Sequence, residues 1–336
     1  MVLDCLASTL VASINRFDIG HDTWSAPCSN DLNPRLLNQA NKHAIVFAYH
    51  DVGVHCLQAL LDAGVVIDLV ITHDDDPKET IWFGSVRELC KRNRLPYEIL
   101  QRDQLLQLLP RFQQLSPDYI FSFYYRFMIP IELLKTGKIA ALNMHGSLLP
   151  KYRGRAPVNW AVLHGEVETG ATLHIMEAKP DAGDIVGQIA VPIEIHETAH
   201  EVFNKVSLAA KKVMESVLPA LMQGGVPRRL NDLHRGAYFG GRKPADGRVD
   251  WTQPAISIYN LIRAVAPPYP GAFTEFQGKT WLLAKSSLPL DPKIDLSPQL
   301  VHLLEKSTPG LHLVDNCYFG LCGDGKVLEL LSVQAL

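Results

Sequence analysis

The sequence has no long apolar run and little net charge. No stretch approaches the roughly 18 apolar residues that a membrane-spanning helix needs. The first residues, MVLDCLASTLVASINRFD, carry an acid where a secretory signal has basic charge. The formal net charge is −3, from 32 basic and 35 acidic residues, so no general attraction to nucleic-acid phosphates is expected. We therefore predict a cytoplasmic globular protein, without membrane insertion and without a nucleic-acid partner.

Paired metal ligands are also missing among the cysteines. The six cysteines are scattered and none forms a Cys-x-x-Cys pair, so free thiols are expected and a zinc site is not. The run Asp-Asp-Asp-Pro at 74–77 could suggest a metal. A single acidic cluster after a strand is more typical of a capping loop or a solvated face. The sequence therefore predicts no metal.

Three regions of the chain differ in their residue patterns. Residues 1–42 lack a sustained period of 2 or 3.6 and are rich in Asn, Asp, Ser and Pro, so we interpret them as an N-terminal extension, either disordered or the product of a mis-assigned start. Residues 43–230 alternate strand and helix patterns. Residues 231–336 consist of short β-like pieces separated by Gly, Pro and Asp, which predict a smaller β-rich domain of open-barrel, OB-like type.

The alternation in residues 43–230 indicates an α/β fold. Apolar runs predict strands at 44–50, 97–100, 119–124 and 139–145, and helical spacing predicts helices at 84–93, 103–114 and 130–136. Strands separated by single helices imply crossover connections and an open, doubly wound, Rossmann-like parallel sheet. Ligands of such sheets bind beyond the carboxyl ends of the strands, near the switch in strand order.

The stretch NMHGSLLP at 143–150 lies at such a strand end. Side chains alternate faces along a strand, so Asn143 and His145 should share one face while Leu142 and Met144 point into the packing. A histidine can take or give a proton near neutral pH, and an asparagine amide can donate to a developing oxyanion. This pair favours acyl-transfer chemistry. The alternative is a structural pair that satisfies the backbone of the turn.

Four ordered motifs follow one another from residue 143 to residue 183. They are Asn-x-His-x-Ser-Leu-Leu-Pro, Arg-Gly-x-Ala-Pro, Thr-Gly-x-Thr-x-His and Asp-Ala-Gly. Together they resemble the 10-formyltetrahydrofolate-dependent formyltransferase family. The similarity continues through VFAYHD, SPDYIFSFYYRFMIP, YFGGRKPADG and RAVAPPYPGAF, and so covers roughly residues 43–336. Within this family the chain is most similar to the formyltransferase module that acts on UDP-4-amino-4-deoxy-L-arabinose.

The resemblance implies roles for particular residues, and places the catalytic domain at 43–230. The catalytic residues it implies are Asn143, His145 and Asp181. The residues it implies for binding the co-substrate 10-formyltetrahydrofolate are Phe127, Met128, Ile129, Arg155, Glu177, Ala178, Lys179, Pro180 and Asp181. An ionised Asp181 beside the imidazole would favour its protonated form and keep a proton available.

Some of these residues, and two of their neighbours, also have a structural interpretation. Asp181 could cap the turn before Ala-Gly. Arg153 and Arg155 could be a solvated pair, and Met128 could belong to the core. His174, inside TLHIM, is interpreted as a strand residue with its hydrogen bonds satisfied.

The sequence leaves three hypotheses for the function. The first is N-formylation of a nucleotide-linked amino sugar, UDP-4-amino-4-deoxy-L-arabinose or a related 4-amino sugar. The second is formylation of methionyl-tRNA, but the segment THDDDPKETIWFGS is acidic where those enzymes carry a basic loop. The third is a non-catalytic folate or nucleotide-sugar sensor, which the presence of all three catalytic residues disfavours. The sugar, a separate dehydrogenase-decarboxylase partner and the oligomeric state, including a homo-oligomer, stay open.

Overall fold

The computed structural model describes residues 41–77, 80–291, 295–296, 301 and 308–336. The predicted N-terminal extension lies outside these residues, apart from its last two. The α-helices are α1 His50–Asp62, α2 Val86–Asn93, α3 Leu109–Leu115, α4 Ile131–Leu134, α5 Pro157–Leu163, α6 Ala199–Met222 and α7 Ala255–Val265. The strands are β1 His43–Ala48, β2 Val66–Thr72, β3 Tyr97–Ile99, β4 Tyr119–Phe123, β5 Ala140–His145, β6 Arg153–Gly154, β7 Glu168–Ile175, β8 Ile185–Pro192, β9 Tyr238–Phe239, β10 Ala272–Phe276, β11 Lys279–Ser286, β12 Gly310–Val314, β13 Cys317–Leu321 and β14 Val327–Ala335.

The larger sheet has seven strands in the order β3-β2-β1-β4-β5-β7-β8. The chain builds outward from β1 to β2 and β3, then returns to the other side of β1 with β4 and β5. The switch in strand order therefore lies between β1 and β4, and the predicted open α/β class is confirmed. One feature of the prediction needs correction, because β5 pairs with β7 and β7 with β8 in antiparallel directions. The short loop between β7 and β8 permits only an antiparallel hairpin.

The alternation of β1 side chains separates two buried layers. Val46 packs with residues of α1 and α6 on one face, whereas Phe47 packs on the other face with Phe112 of α3 and Leu133 of α4. Residues 44–48 have no exposed surface. Helices thus cover both faces of the sheet, as the continuous apolar pattern of this strand predicts.

Several predicted helix bounds were wrong in detail. The helix predicted at 103–114 is a 3-10 helix over Arg102–Leu108 followed by α3. Pro110 explains the change, because its missing N–H is tolerated in the first turn of a new helix and not inside a longer one. The strand predicted at 44–50 ends at Ala48, and His50 already begins α1. No helix within the described ranges is long and apolar enough to cross a membrane.

The second sheet is antiparallel and has the order β10-β11-β14-β13-β12. It confirms the predicted smaller β-rich part, which forms an open half-barrel. Trp251 packs directly over Gly320, where any Cβ would collide with the indole ring, and its Nε1–H donates to the Thr274 hydroxyl at 2.9 Å. The domain boundary predicted at 230/231 falls between α6 and β9, and it remains a prediction.

Hydrogen bonds from α5 and α7 hold the two sheets in one compact unit. The Asn159 side chain on α5 donates to the carbonyl oxygen of Ala264 on α7 at 2.8 Å. Arg263 of α7 donates to the Asn260 side chain and to the carbonyl oxygens of Val162 and Glu197. Both side chains are buried, so removal of either one would leave buried carbonyl oxygens with fewer hydrogen-bond donors.

The replacement Asn159→Ala should therefore lower the free energy of unfolding. We expect a loss of about 1–3 kcal/mol, because a buried carbonyl is left without a donor. Urea unfolding followed by tryptophan fluorescence measures the effect. The matched control Asn93→Ala removes an amide that bonds only within α2, and should cost less. An unchanged midpoint for Asn159→Ala would show that this bond does not support the fold.

Candidate active site

The predicted catalytic pair lies at the carboxyl end of β5. Leu142 and Met144 are buried in the packing, whereas Asn143 and His145 face the other way. The neighbouring strand β7 places His174 opposite Asn143. The strand alternation thus produces the shared face that the sequence indicates.

Asp181 joins this pair from the loop between β7 and β8. Its Oδ1 lies 3.7 Å from His145 Nδ1 and 3.4 Å from His174 Nε2. The backbone of Asp181 has a φ of 51°, a left-handed conformation that an aspartate tolerates better than most residues. The three residues that the sequence singles out are therefore assembled at one point.

His174 is a fourth member of the cluster, and the prediction of a strand residue with satisfied hydrogen bonds is confirmed. Its Nδ1–H donates to the Ile175 carbonyl oxygen at 2.8 Å, and its Nε2 lies 3.0 Å from Asn143 Nδ2. In the neutral form Nε2 accepts from the Asn143 amide, and in the protonated form it donates to Asp181. The signal in the sequence was the Thr-x-His pattern, but only the antiparallel register brings it beside Asn143.

The hydrogen bond at Nε2 defines how His145 can handle a proton. Nε2 lies 2.8 Å from the carbonyl oxygen of Tyr152, which can only accept, so Nε2 carries a hydrogen. In the neutral imidazole the basic nitrogen is therefore Nδ1, the atom that faces Asp181. A proton taken up at Nδ1 would lie beside a carboxylate.

The carboxyl group of Asp181 is held in its charged form. Burial by itself would raise its pKa, but the neighbouring His145, a hydrogen bond with His174 and the Gly154 N–H together lower the pKa well below its usual range. The Gly154 N–H donates to Oδ2 at 2.8 Å. Asp181 is therefore ionised at neutral pH, and its negative charge lies beside both imidazoles.

Gly154 positions this donor through a constrained backbone. Its φ is 101°, and a Cβ here would collide with the carbonyl oxygen of Phe239 on the paired strand β9. The pairing is held on each side of Gly154, because the Arg153 N–H donates to the Ala237 carbonyl oxygen and the Arg155 N–H to that of Phe239. Only glycine fits this position.

The residues predicted to bind the folate lie in two segments and at one arginine. Phe127 and Ile129 pack partly against the layer that contains Phe47, whereas Met128 is 54% exposed, so the alternative of a core role for Met128 is wrong. In the second segment Pro180 is half-buried, and three residues are exposed: Glu177, Ala178 and Lys179. Their contact with a folate remains a prediction.

The two arginines beside Gly154 have different surroundings. Arg155 is exposed and lies near Gly241, so it can reach a ligand from solvent. Arg153 is only 7% exposed. The interpretation of these two residues as a solvated pair is therefore wrong for Arg153.

The sequence contains one His-Glu-x-x-His pattern, at 196–200, which the prediction of no metal did not take into account. Helix α6 begins only at Ala199, with Thr198 as its N-cap, so the two histidines do not share a helical face. Glu197 instead accepts from Lys205 Nζ at 2.6 Å. Across the described part of the chain no group of three or more His, Cys, Asp or Glu side chains is placed to hold a metal ion.

The acidic run at 74–77 is exposed, as expected, but two of its residues have defined partners. Asp74 forms an ion pair with Arg87 of α2. Asp75 accepts a hydrogen bond from the Tyr49 hydroxyl at 2.7 Å. The run therefore anchors the loop after β2 to the end of β1.

The fold and the Asn-His-Asp cluster define a group-transfer enzyme of the α/β class. Residues 45–218 match the family model described as formyl transferase, and residues 242–335 match the model of the formyl transferase C-terminal domain. The first match covers more than half of the chain. The chain belongs to the formyl transferase family, which confirms the predicted family and enzyme class.

Solved structures with the same fold include three sugar N-formyltransferases or related enzymes. WlaRD, a sugar 3N-formyltransferase crystallised with dTDP and 5-N-formyl-tetrahydrofolate, is 19% identical with a TM-score of 0.64, over 88% of this chain and 98% of that one. An N-formyltransferase from Helicobacter canadensis, in complex with folinic acid and dTDP-3-aminofucose, is 18% identical with a TM-score of 0.64, over 88% and 100%. A 4-N formyltransferase from Francisella tularensis is 19% identical with a TM-score of 0.57, over 71% and 95%.

The replacement His145→Ala should abolish most formyl transfer without unfolding the protein. Loss of a positioned acid–base group should lower kcat about a hundredfold to ten-thousandfold. Single-turnover assays measure the rate, and circular dichroism checks the fold. The control His312→Ala removes a histidine of β12, the edge strand of the second sheet, and should retain the wild-type rate. Near wild-type turnover of His145→Ala would exclude a proton-transfer role.

The replacement Asp181→Asn should change the pH dependence of stability. Folding depresses the pKa of Asp181, so the carboxylate stabilises the protein above its unfolded pKa of about 4, and this contribution is lost as the pH falls toward the depressed value. The stability of the wild type relative to Asp181→Asn should therefore decrease on acidification. Urea unfolding of both proteins from neutral pH to about pH 3 measures the difference. A difference that stays constant with pH would contradict the ionised carboxylate.

Proposed function

We propose that this formyltransferase transfers the formyl group of 10-formyltetrahydrofolate to the amino group of a nucleotide-linked amino sugar. The favoured substrate is UDP-4-amino-4-deoxy-L-arabinose or a related 4-amino sugar. The observation that carries the proposal is the cluster of Asn143, His145 and Asp181, in which an amide donor, a basic imidazole nitrogen and a carboxylate meet at the carboxyl end of β5.

Each member of the cluster has a part in an acyl transfer. The amine nitrogen attacks the formyl carbon, a C–N bond forms, and the carbonyl oxygen becomes an oxyanion that accepts a hydrogen bond from the Asn143 amide. The attacking nitrogen loses its proton to His145 Nδ1. The imidazolium is stabilised by Asp181 and returns the proton to the folate nitrogen as the old C–N bond breaks. No net charge is gained or lost.

The cluster also bears on the sensor hypothesis. A binding protein would gain nothing from a carboxylate that is buried, ionised and directed at the basic nitrogen of a histidine. Burial of such a charge costs free energy unless its partners compensate. The cost is understandable where the charge stabilises an imidazolium during proton transfer. We therefore favour an enzyme over a non-catalytic sensor.

Two features support an amino sugar over methionyl-tRNA. The loop after β2 presents Asp74, Asp75 and Asp76 on the surface, and an RNA phosphate backbone would be repelled there. Two structures of similar fold are of enzymes crystallised with dTDP or with dTDP-3-aminofucose. The choice of UDP and of the 4-amino position rests on the sequence resemblance described above.

The substrate class can be tested by mass spectrometry. The protein is incubated with 10-formyltetrahydrofolate and, separately, with UDP-4-amino-4-deoxy-L-arabinose, dTDP-linked 3-amino and 4-amino sugars, and methionyl-tRNA. We expect one formyl group to be added to a 4-amino sugar, and none to be added by His145→Ala. Formylation of methionyl-tRNA alone would overturn the sugar assignment while leaving the formyl chemistry in place.

The salt dependence of substrate binding distinguishes a nucleotide sugar from tRNA. Binding of tRNA through many Lys or Arg contacts should weaken about a thousandfold or more between low and moderate salt. A nucleotide sugar carries only a compact pyrophosphate, so its KM should rise only modestly. Steady-state kinetics over a salt series measures this. A steep salt dependence of the productive substrate would contradict the proposal.

A further inference from the structure

The side chain of Arg153 is buried and has no hydrogen-bond or ion-pair partner among the described residues. The side chain is 7% exposed, and its Nε is fully enclosed without a hydrogen-bond partner. No acidic side chain within the described ranges lies within ion-pair distance of its guanidinium, and the terminal nitrogens are not enclosed as Nε is. Desolvation of part of this guanidinium costs free energy in the ligand-free protein, and an anion bound at its open side would offset that cost.

A second buried arginine shows that this is not the general pattern in the molecule. Arg263 is also 7% exposed, but it donates to the Asn260 side chain and to two backbone carbonyl oxygens. The nitrogens of the Arg263 guanidinium therefore have acceptors in the protein. The Arg153 guanidinium has none among the described residues and could take one from a ligand. Buried hydrogen-bond donors without a partner are rare in folded proteins, so the unpartnered Nε of Arg153 needs an explanation.

Arg153 also lies between two residues that contact the catalytic cluster. The carbonyl oxygen of Tyr152 accepts from His145 Nε2 at 2.8 Å, and the Gly154 N–H donates to Asp181 at 2.8 Å. The strand pairing with β9 fixes the backbone here, because the Arg153 N–H donates to the Ala237 carbonyl oxygen at 3.1 Å. The backbone from which the Arg153 side chain extends is therefore fixed next to the residues that contact the cluster.

We propose that Arg153 binds the pyrophosphate of the nucleotide-linked amino sugar, a role that rests on the substrate class proposed above. A guanidinium is always charged and offers a planar fork of donors that matches two phosphate oxygens. The pyrophosphate of a 4-amino sugar lies just across the sugar ring from the attacking amine. The carboxylates of the folate lie beyond its whole aminobenzoyl group, so an arginine whose backbone adjoins the catalytic cluster fits the pyrophosphate better.

The replacement Arg153→Met tests this by removing the charge while keeping most of the volume. We expect the KM for the nucleotide amino sugar and the Kd for UDP to rise about ten- to a hundredfold, since charge-assisted hydrogen bonds to phosphate are lost. The Kd for uridine, which has no phosphate, and the KM for 10-formyltetrahydrofolate should not change. Arg153→Lys keeps the charge without the fork and should have an intermediate effect.

Stability separates binding from a structural role. Arg153→Met should leave the Tm of the ligand-free protein unchanged or raised, because no protein hydrogen bond is lost. The matched control Arg263→Met removes an equally buried arginine and should lower the Tm while leaving UDP affinity of the folded protein intact. A second control, Arg92→Met, removes one exposed positive charge and should affect neither measurement.

Several results would overturn the assignment. A rise in the folate KM with unchanged UDP affinity would mean that the anion is a folate carboxylate. Equal losses of UDP and uridine binding, together with a lower Tm, would mean a structural role. If Arg153→Met does not fold, unchanged UDP affinity in Arg153→Lys would show that the planar guanidinium does not bind the pyrophosphate.

The same measurements distinguish this inference from the proposed function. A wild-type protein that binds UDP through Arg153 but formylates no amino sugar would leave the anion site standing and refute the substrate. Formylation of the amino sugar with an unchanged KM in Arg153→Met would support the substrate and refute the anion site.

Discussion

The arrangement of the site depends on one buried carboxylate. Asp181 lies between the imidazoles of His145 and His174 and accepts a hydrogen bond from the Gly154 N–H. These neighbours outweigh burial and hold the pKa of its carboxyl group well below the usual range. A fixed negative charge therefore faces Nδ1 of His145 and Nε2 of His174.

Several strands of the larger sheet and the short strand β6 bring these groups together. Strand β5 supplies Asn143 and His145, the hairpin of β7 and β8 supplies His174 and the loop with Asp181, and β6 supplies the Gly154 donor. The register of β5 with β7 brings His174 beside Asn143, and the pairing of β6 with β9 holds the Gly154 donor. A site of this kind is preorganised, so its donors need little rearrangement when charge develops in the reaction.

The sequence predicted those parts of this arrangement that follow from local patterns. The period of 2 placed Asn143 and His145 on one face, and the alternation of strand and helix patterns gave the open α/β class. The antiparallel direction of β7 and β8 and the contact of His174 with Asn143 depend on pairing between distant segments, which no local period encodes. Arg153 and Arg155 look equivalent in sequence, and only tertiary packing buries one and exposes the other.

Proton transfer in this site depends on His145 Nδ1 being the basic nitrogen that faces an ionised Asp181. Nitrogen-15 NMR of the imidazole, assigned with His145→Ala, measures this directly in the ligand-free protein. We predict that the neutral form carries its hydrogen on Nε2 and that acidification protonates Nδ1. A neutral form with its hydrogen on Nδ1 would contradict the account, because the nitrogen facing Asp181 could then not accept the proton of the attacking amine.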